Sequence, residues 1–452
     1  MKNKYKIIDN QFDLISKGKT ELIYKDLEVN NILDKEIEKQ HKSLSLVASC
    51  CAVDPSILYA TSSTLVNVTA EGKPGKRYHA GCEFVDKIEQ LAIDRACQIF
   101  DAKYAGVQPH SASSANYQVL SAILDPGDTI LGMSLDDGGH LTHGSKVTFS
   151  GNYYKAIGYH VDNQGIIDYD EVERIAKKYR PRLIICGATA YSQVVDFKKF
   201  REIADSVGAI LMADISHIAG LVVTNRHPSP INQAHITTTC THKQLAGPRG
   251  GLILSGNDSD EIVPGKNITF RKLLQKSIFP WMQGAPAVNN IAAKAVTFEY
   301  AKSREFYEYI GRIREIADLI ASLLIKKGYK VIGNGTKNHT ILVELPENIT
   351  GIIAEKALEE CSIIVNKNRI PGEKRTSTIT SGLRIGTGAL AQRYLDMEGC
   401  SKIVDLIDEI LTKIKVIDDK SYELSEESVN KFKITVQDLC EKYPIKKYTQ
   451  KY

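Results

Sequence analysis

Residues 237–251 read TTTCTHKQLAGPRGG, a run that sets one lysine, Lys243, behind hydroxyls and His242 and ahead of Gly247, Pro248, Gly250 and Gly251. Glycine and proline at that density let the backbone turn tightly and approach a ligand. A lysine held in such a turn suits an amine whose ammonium pKa is lowered by its pocket, the state that covalent amine chemistry needs. Taken alone, a lysine is more often a surface charge. Upstream, Ala209–Ala213 reads as a buried strand whose end delivers Asp214, with His217 close behind in ADISH. Carboxylates at strand ends commonly face a ligand in α/β folds; the plainer role for Asp214 is to cap the next helix.

Working outward, short apolar runs at Thr129–Met133, Leu183–Cys186 and Ala209–Ala213 alternate with helical stretches such as Tyr169–Lys178. That alternation predicts a mostly parallel sheet wrapped by helices, an α/β fold. Asp86–Phe100 places Ile88, Leu91, Ala92, Ala96 and Ile99 on one helical face. Beyond residue 300 the pattern changes: helical Phe306–Lys327, strands Lys330–Ile332 and Thr340–Leu345, helix again from Ile352, then Lys402–Ile414 and Ser425–Cys440. The reading is an N-terminal helical arm (1–45, its helix at Leu27–Ser43), a large α/β domain (46–300) and a smaller α+β domain (301–452). Asp418–Glu427 reads as a surface turn.

Composition narrows the function classes. The chain has 452 residues, 43% hydrophobic and 25% charged, and lacks the run of about 18 apolar residues that a membrane span requires. Met1–Lys19 has no apolar centre of a secretory signal, so a cytoplasmic protein is expected. Nine cysteines without C-x-x-C spacing predict reduced thiols and no metal site. A net charge of +4 on scattered residues argues against nucleic acid, and the basic cluster Lys442–Lys451 reads as a solvated tail.

Two further segments carry candidate chemistry. PHSASSAN (109–116) precedes a predicted helix, so Ser111 and Ser113 with the first backbone N–H groups offer a phosphate site, or simply a helix cap. In DDGGHLTHGS (136–145), Gly138 and Gly139 would let the backbone and His140 approach a flat ring, although a lone histidine is more often structural.

With AEGKPGKRY (70–78), QLAIDRA (90–96), GGHLTHGS (138–145), THKQLAGPRGG (241–251) and TSGLRIGT (380–387), the chain resembles serine hydroxymethyltransferase from about Leu44 to Pro444. The resemblance implies a fold type I, aspartate-aminotransferase-like transferase dependent on pyridoxal 5'-phosphate. Lys243 would hold the cofactor as a Schiff base, Asp214 would pair with its ring nitrogen and His140 would stack on the ring. Ser111, Ala112 and Ser113 would cradle its phosphate, with Thr189 and His217 near the phenolic oxygen and His242 beside the lysine. Arg384, assisted by Ser49, would clamp the substrate carboxylate. Glu71 matches the acid/base carboxylate that reaches across a dimer interface, which implies a homodimer or dimer of dimers with shared sites. Leu135, Leu141, Asn366 and Asn368 match the pocket for tetrahydrofolate, the acceptor of the one-carbon unit taken from serine.

The chain departs from the family pattern at four places. Thr69 stands where a tyrosine precedes A-E-G, and His79 replaces the second tyrosine after G-K-R, putting an imidazole where a phenol would handle protons. Trp281 and Met282 occupy a glycine pair, and Cys50 and Cys51 follow Ser49 in place of Glu-Asn. Three readings therefore stand: serine–glycine hydroxymethyl transfer with folate, a folate-independent aldolase or transaldolase acting on threonine or another β-hydroxy amino acid, and a silent binding or regulatory paralogue.

Overall fold

A sheet of mostly buried strands builds the centre of the computed structural model, which describes residue 8 and residues 10–449. In chain order they are β1 (Tyr104–Gly106), β2 (Thr129–Met133), β3 (Lys155–Tyr159), β4 (Leu183–Cys186), β5 (Ile210–Asp214), β6 (Ile236–Cys240) and β7 (Gly251–Ser255). They form one sheet ordered β1-β7-β6-β5-β4-β2-β3, in which β7 alone runs against its neighbours. LIIC in β4 and ILMAD in β5 are buried throughout, the pattern of parallel strands covered on both faces. The first half of the lysine segment is strand rather than turn. Thr237–Thr239 are fully buried in β6, where β-branched side chains pack well, and the turn begins only past Cys240.

The helices used below are α1 (Gln11–Lys25), α2 (Leu27–Lys42), α3 (Glu83–Phe100), α4 (Ala112–Ile123), α5 (Tyr169–Tyr179), α6 (Phe197–Val207), α7 (Val288–Tyr300), α8 (Arg304–Lys326), α9 (Gly351–Glu360), α10 (Met397–Lys413) and α11 (Glu426–Lys442). α1 and α2 bury no residue and leave Phe12, Ile23, Ile32, Leu33 and Ile37 exposed. On α3 the buried stripe is Val85, Glu89, Ala92, Ala96 and Phe100, shifted from the expected face so that Leu91 is 39% exposed. The shift has an electrostatic cause. Glu89 takes a core position because Arg77 Nη2 and Gln108 Nε2 donate to its carboxylate at 2.5 and 2.7 Å, while Arg77 Nε binds Asp86 at 2.8 Å.

A second, antiparallel sheet follows in the chain: β8 (Lys330–Val331), β9 (Thr340–Glu344), β10 (Asn366–Asn368) and β11 (Gly382–Gly386), ordered β8-β9-β11-β10. Leu44–Ser45 pairs in parallel with Ile363–Ile364, and Gly386 N donates to Leu46 O at 2.7 Å. A Cβ at Gly386 would lie 2.1 Å from Ala48 Cα, so only glycine lets the segment that leads into Ser49 lie against β11. Among the described residues no helix is long and apolar enough to cross a membrane.

Two smaller expectations change. Asp418–Glu427 is not one turn: Lys415–Val416 and Tyr422–Glu423 pair as a hairpin around it, and its last residues start α11. The basic stretch after Lys442 is packed rather than solvated, with Lys451 outside the described residues. Tyr443 and Ile445 are buried, and Lys447 Nζ sits 3.7 Å from the Tyr300 ring centroid and 3.2 Å from the Asp54 carboxylate. An ammonium over an aromatic face and beside a carboxylate gains from both.

Arg77 and Glu89 are 4% and 3% exposed, so removing one strands the other's charge in the core. Arg77→Ala is expected to lower the unfolding free energy by about 3–5 kcal/mol, and Glu89→Gln by less because the amide still accepts. Denaturant unfolding checks this; an unshifted midpoint for Arg77→Ala would mean that other contacts anchor the 72–77 hairpin.

Candidate active site

Parallel strands end on one edge of a sheet, and the candidate residues follow those ends. The loop after β2 carries His140, the loop after β4 carries Thr189, β5 ends in Asp214, and β6 leads into His242 and Lys243. The turn after β1 leads to Ser111, which caps α4 by accepting from Ser114 N at 3.0 Å, and Ala112 and Ser113 form the first turn of that helix. The four N-terminal amides of an α-helix lack intrahelical partners and favour an anion.

Asp214 is the most elaborately held group. Oδ1 accepts from Ser216 N at 3.0 Å and from Ser216 Oγ at 2.5 Å, and Oδ2 accepts from Asn116 Nδ2 at 2.8 Å and lies 3.1 Å from His143 Nε2. Burial alone would raise its carboxyl. The hydrogen bond and charge of His143, with His140 and Ser216, outweigh burial and hold it well below the usual carboxylate range. Its bond to Ser216 N closes a local Asx turn and not the helix cap weighed above, since the next helix, Ala219–Val223, has Ile218 at its N-cap and no side-chain cap bond.

His140, His143 and Asp214 offer ligand atoms within 4.8 Å of one another, a cluster accounted for by these hydrogen bonds. His140 Nδ1 pairs with Thr142 Oγ1 at 2.8 Å, and burial, then His143, lowers its imidazolium to about 4. The glycines before it act differently from expectation. A Cβ at Gly139 would meet Met133 O at 2.1 Å, so this glycine admits the loop's own strand rather than leaving open space.

Lys243 has its ammonium pKa lowered, by burial first and then by Arg384 and Arg249 against the opposing pull of Cys240 and Asp214. His217 Nδ1 lies 3.3 Å from His339 Nε2, the two rings stacking at 5.4 Å. Burial followed by Lys243 drives both imidazoles toward the neutral form, His339 to about 3 and His217 well below its ordinary value. Beside the lysine, burial and Arg249 bring His242 to about 4.

Arg384, on β11, crosses between the two sheets. Its Nη1 donates to Thr189 O at 3.0 Å, its Nη2 donates to Asn366 Oδ1 at 3.1 Å, and its Nε is buried with no partner among the described residues. His242 Nδ1 is likewise buried without one. A cavity of about 690 Å³ beside His242 is lined also by Ser49, Cys50, Cys51 and Arg249. Unmet polar atoms on an arginine and a histidine suit a ligand carrying anionic oxygens. The donor set therefore fits both a carboxylate substrate and a phosphorylated cofactor.

Other candidates lie apart. Glu71 N donates to His79 Nδ1 at 3.4 Å, and the Glu71 carboxylate lies against Gly284; neither contact belongs to the Lys243 cluster of the same chain. Leu135 and Leu141 are 43% and 44% exposed, and Asn368 turns its amide to Arg369 O. Asp136 pairs with Arg369, which ties the Leu135 loop to the strand of Asn366 and Asn368.

Sequence reading did not single out Asn116, His143 or His339. The first two stand inside the quoted PHSASSAN and DDGGHLTHGS segments, and His339 immediately precedes the strand predicted from Thr340.

This architecture, a mostly parallel sheet with a lysine and an aspartate at its strand ends, is that of the fold type I transferases dependent on pyridoxal phosphate. The family model described as serine hydroxymethyltransferase matches residues 22–407, and the chain belongs to that family.

The buried neutral imidazoles set an acid limit on stability. Their folded-state pKa values lie below the unfolded value of about 6.5, so the stability they contribute is complete above that pH and is lost as pH falls toward the folded values. Unfolding free energy is expected to decline between about pH 6.5 and pH 4, with a slope smaller by about one proton in His339→Gln. Equal slopes for the two proteins would show that His339 is not held neutral.

Proposed function

We propose that the chain transfers a hydroxymethyl group between serine and glycine, with pyridoxal 5'-phosphate as cofactor and tetrahydrofolate as the one-carbon acceptor. The observation that carries this reading is Arg384: Nη1 and Nη2 are anchored on Thr189 O and Asn366 Oδ1, and Nε is buried with no partner among the described residues. A guanidinium so preorganised can clamp an amino-acid carboxylate without first losing side-chain freedom.

Lys243, Asp214, His140, Thr189, His217, His242 and the Ser111–Ser113 turn would hold the cofactor. The cofactor, once bound, supplies an electron sink for the pair released when the substrate Cα–Cβ bond breaks. Asp214, whose carboxyl His143 and Ser216 hold well below the usual carboxylate range, would keep a proton on the cofactor's ring nitrogen. Burial lowers the cost of deprotonating Lys243, which must be neutral to act as a nucleophile. His217 and His339, both neutral, add no cation that would compete for the substrate carboxylate.

Residues 46–300 would form the cofactor domain and 301–452 the domain that brings Arg384. Glu71 has no contact with its own Lys243 cluster, and the arm helices leave an apolar face uncovered; both fit a homodimer in which each subunit lends Glu71 to its partner's site. Leu135 and Leu141 offer apolar surface for a flat folate ring, with Asn368 near; Asn366 already has its amide oxygen engaged by Arg384.

One observation favours a second reading. His79 accepts from the backbone of Glu71, which sets a titratable imidazole beside the expected acid/base carboxylate, and Trp281 is 66% exposed where the family keeps glycine. A folate-independent cleavage of threonine or a related β-hydroxy amino acid would use such changes.

Glycine release from serine and from threonine, each with and without tetrahydrofolate, decides between the two. Folate-stimulated serine cleavage is expected; threonine turnover indifferent to folate would replace this reading with the aldolase one. Arg384→Ala is expected to raise KM for the amino acid by roughly a hundredfold or more, since it removes a charged partner from a desolvated site. Lys243→Ala should remove the visible absorbance of the lysine-bound cofactor, and a spectrum identical to the parent's would refute the assignment of that lysine.

A further inference from the structure

We propose that Lys294 is a buried positioning residue for the phosphate-binding turn, fixing the backbone that enters α4 and holding a positive charge beneath the bound anion. The inference rests on the reading of Ser111–Ser113 as the phosphate cradle. Lys294 lies on α7 in the run IAAKAV and is only 2% exposed. Its Nζ donates to Val107 O at 2.6 Å, Gly251 O at 2.9 Å and Pro109 O at 3.1 Å, so all three ammonium protons are used on backbone carbonyls.

Two chain segments are thereby tied together: the turn from β1 into α4, and the Gly-rich stretch that follows Lys243. They also bind each other directly, Gly251 N donating to Pro109 O at 2.9 Å. A Cβ at Gly250 would fall 2.3 Å from Lys294 Cε, and one at Gly251 2.2 Å from Ser111 O, so the backbone closes over the lysine without space for side chains. An apolar residue at 294 could fill the volume but would take a donor from Val107 O and Gly251 O and leave Pro109 O with Gly251 N alone.

Every direct partner of the ammonium is neutral, although burying a charge without a counter-ion is costly. The nearest carboxylate, Glu89 of α3, is already engaged by Arg77 and Gln108. Another titratable neighbour, His110, has its imidazolium disfavoured by burial and by Lys294 itself. Burial brings the Lys294 ammonium to about 7, opposed only by Glu89. An anion at the start of α4 supplies the opposite charge that this environment lacks, so anion binding and protonation of Lys294 reinforce each other.

Inorganic sulfate, a dianion throughout the neutral range, is the probe. Its competition with pyridoxal phosphate for the apoprotein is followed by cofactor fluorescence between about pH 6 and pH 9. The wild type is expected to bind sulfate roughly tenfold more weakly at the upper end, as Lys294 loses its proton. Lys294→Arg keeps the charge and should bind tightly across the range. Lys294→Met should bind weakly at every pH. Lys243 titrates in both the wild type and the arginine variant, so their difference belongs to residue 294. A Lys294→Arg profile that falls as steeply as the wild type's overturns the proposal, as does a Lys294→Met protein with unchanged sulfate affinity. Should the methionine variant fail to fold, the wild-type and arginine pair still decides. Absence of any sulfate competition in the wild type would instead reject the phosphate cradle itself.

Discussion

A carboxylate kept ionised in the interior needs compensation for its lost hydration, and the arrangement around Asp214 follows from that requirement. Four donors converge on it from three parts of the chain: Ser216 just beyond β5, Asn116 on α4, and His143 in the loop after β2. Asn116 extends the network, donating also to Thr142 Oγ1 and accepting from Thr238 on β6. One charge thus orders the helix that starts after Ser111, the loop that carries His140, and the strand that leads to Lys243.

Around this anion the chain distributes cations and neutral imidazoles unevenly. Lys243, Arg384 and Lys294 all reside where burial weakens their hold on a proton, and His140, His217, His242 and His339 are all driven toward neutrality. Asp214 is the carboxylate set among these groups, and they favour further negative charge. Anionic oxygens on a ligand relieve that imbalance, which binds recognition to electrostatics more than to shape.

Much of this was legible before any coordinates. β2 and β4 fall on the residues read as strands, because fully buried parallel strands are continuous apolar runs bounded by turns, and Asp214 falls at a strand end for the same reason. The strands β1, β3, β6 and β7 were not singled out: YAG is too short, KAIGY mixes exposed and buried positions, and the threonines of β6 look polar although the sheet buries them. The face of α3 was misplaced because a glutamate in the core depends on an arginine from a distant hairpin, a pairing that periodicity does not encode. His339 escaped notice for a similar reason, since its significance comes from a stacking partner far away in the sequence.

The pairing of Leu44–Ser45 with Ile363–Ile364, and of Leu46 with Gly386, has a consequence for how the polypeptide matures on the ribosome. Ser49 is made long before the strand that its segment lies against and before Arg384 on that strand. Every strand of the large sheet precedes β11 in the chain, so that sheet can close around Asp214 and Lys243 before Arg384 is made. Until β11 has been made, the segment that leads into Ser49 lacks the Gly386 backbone it rests against.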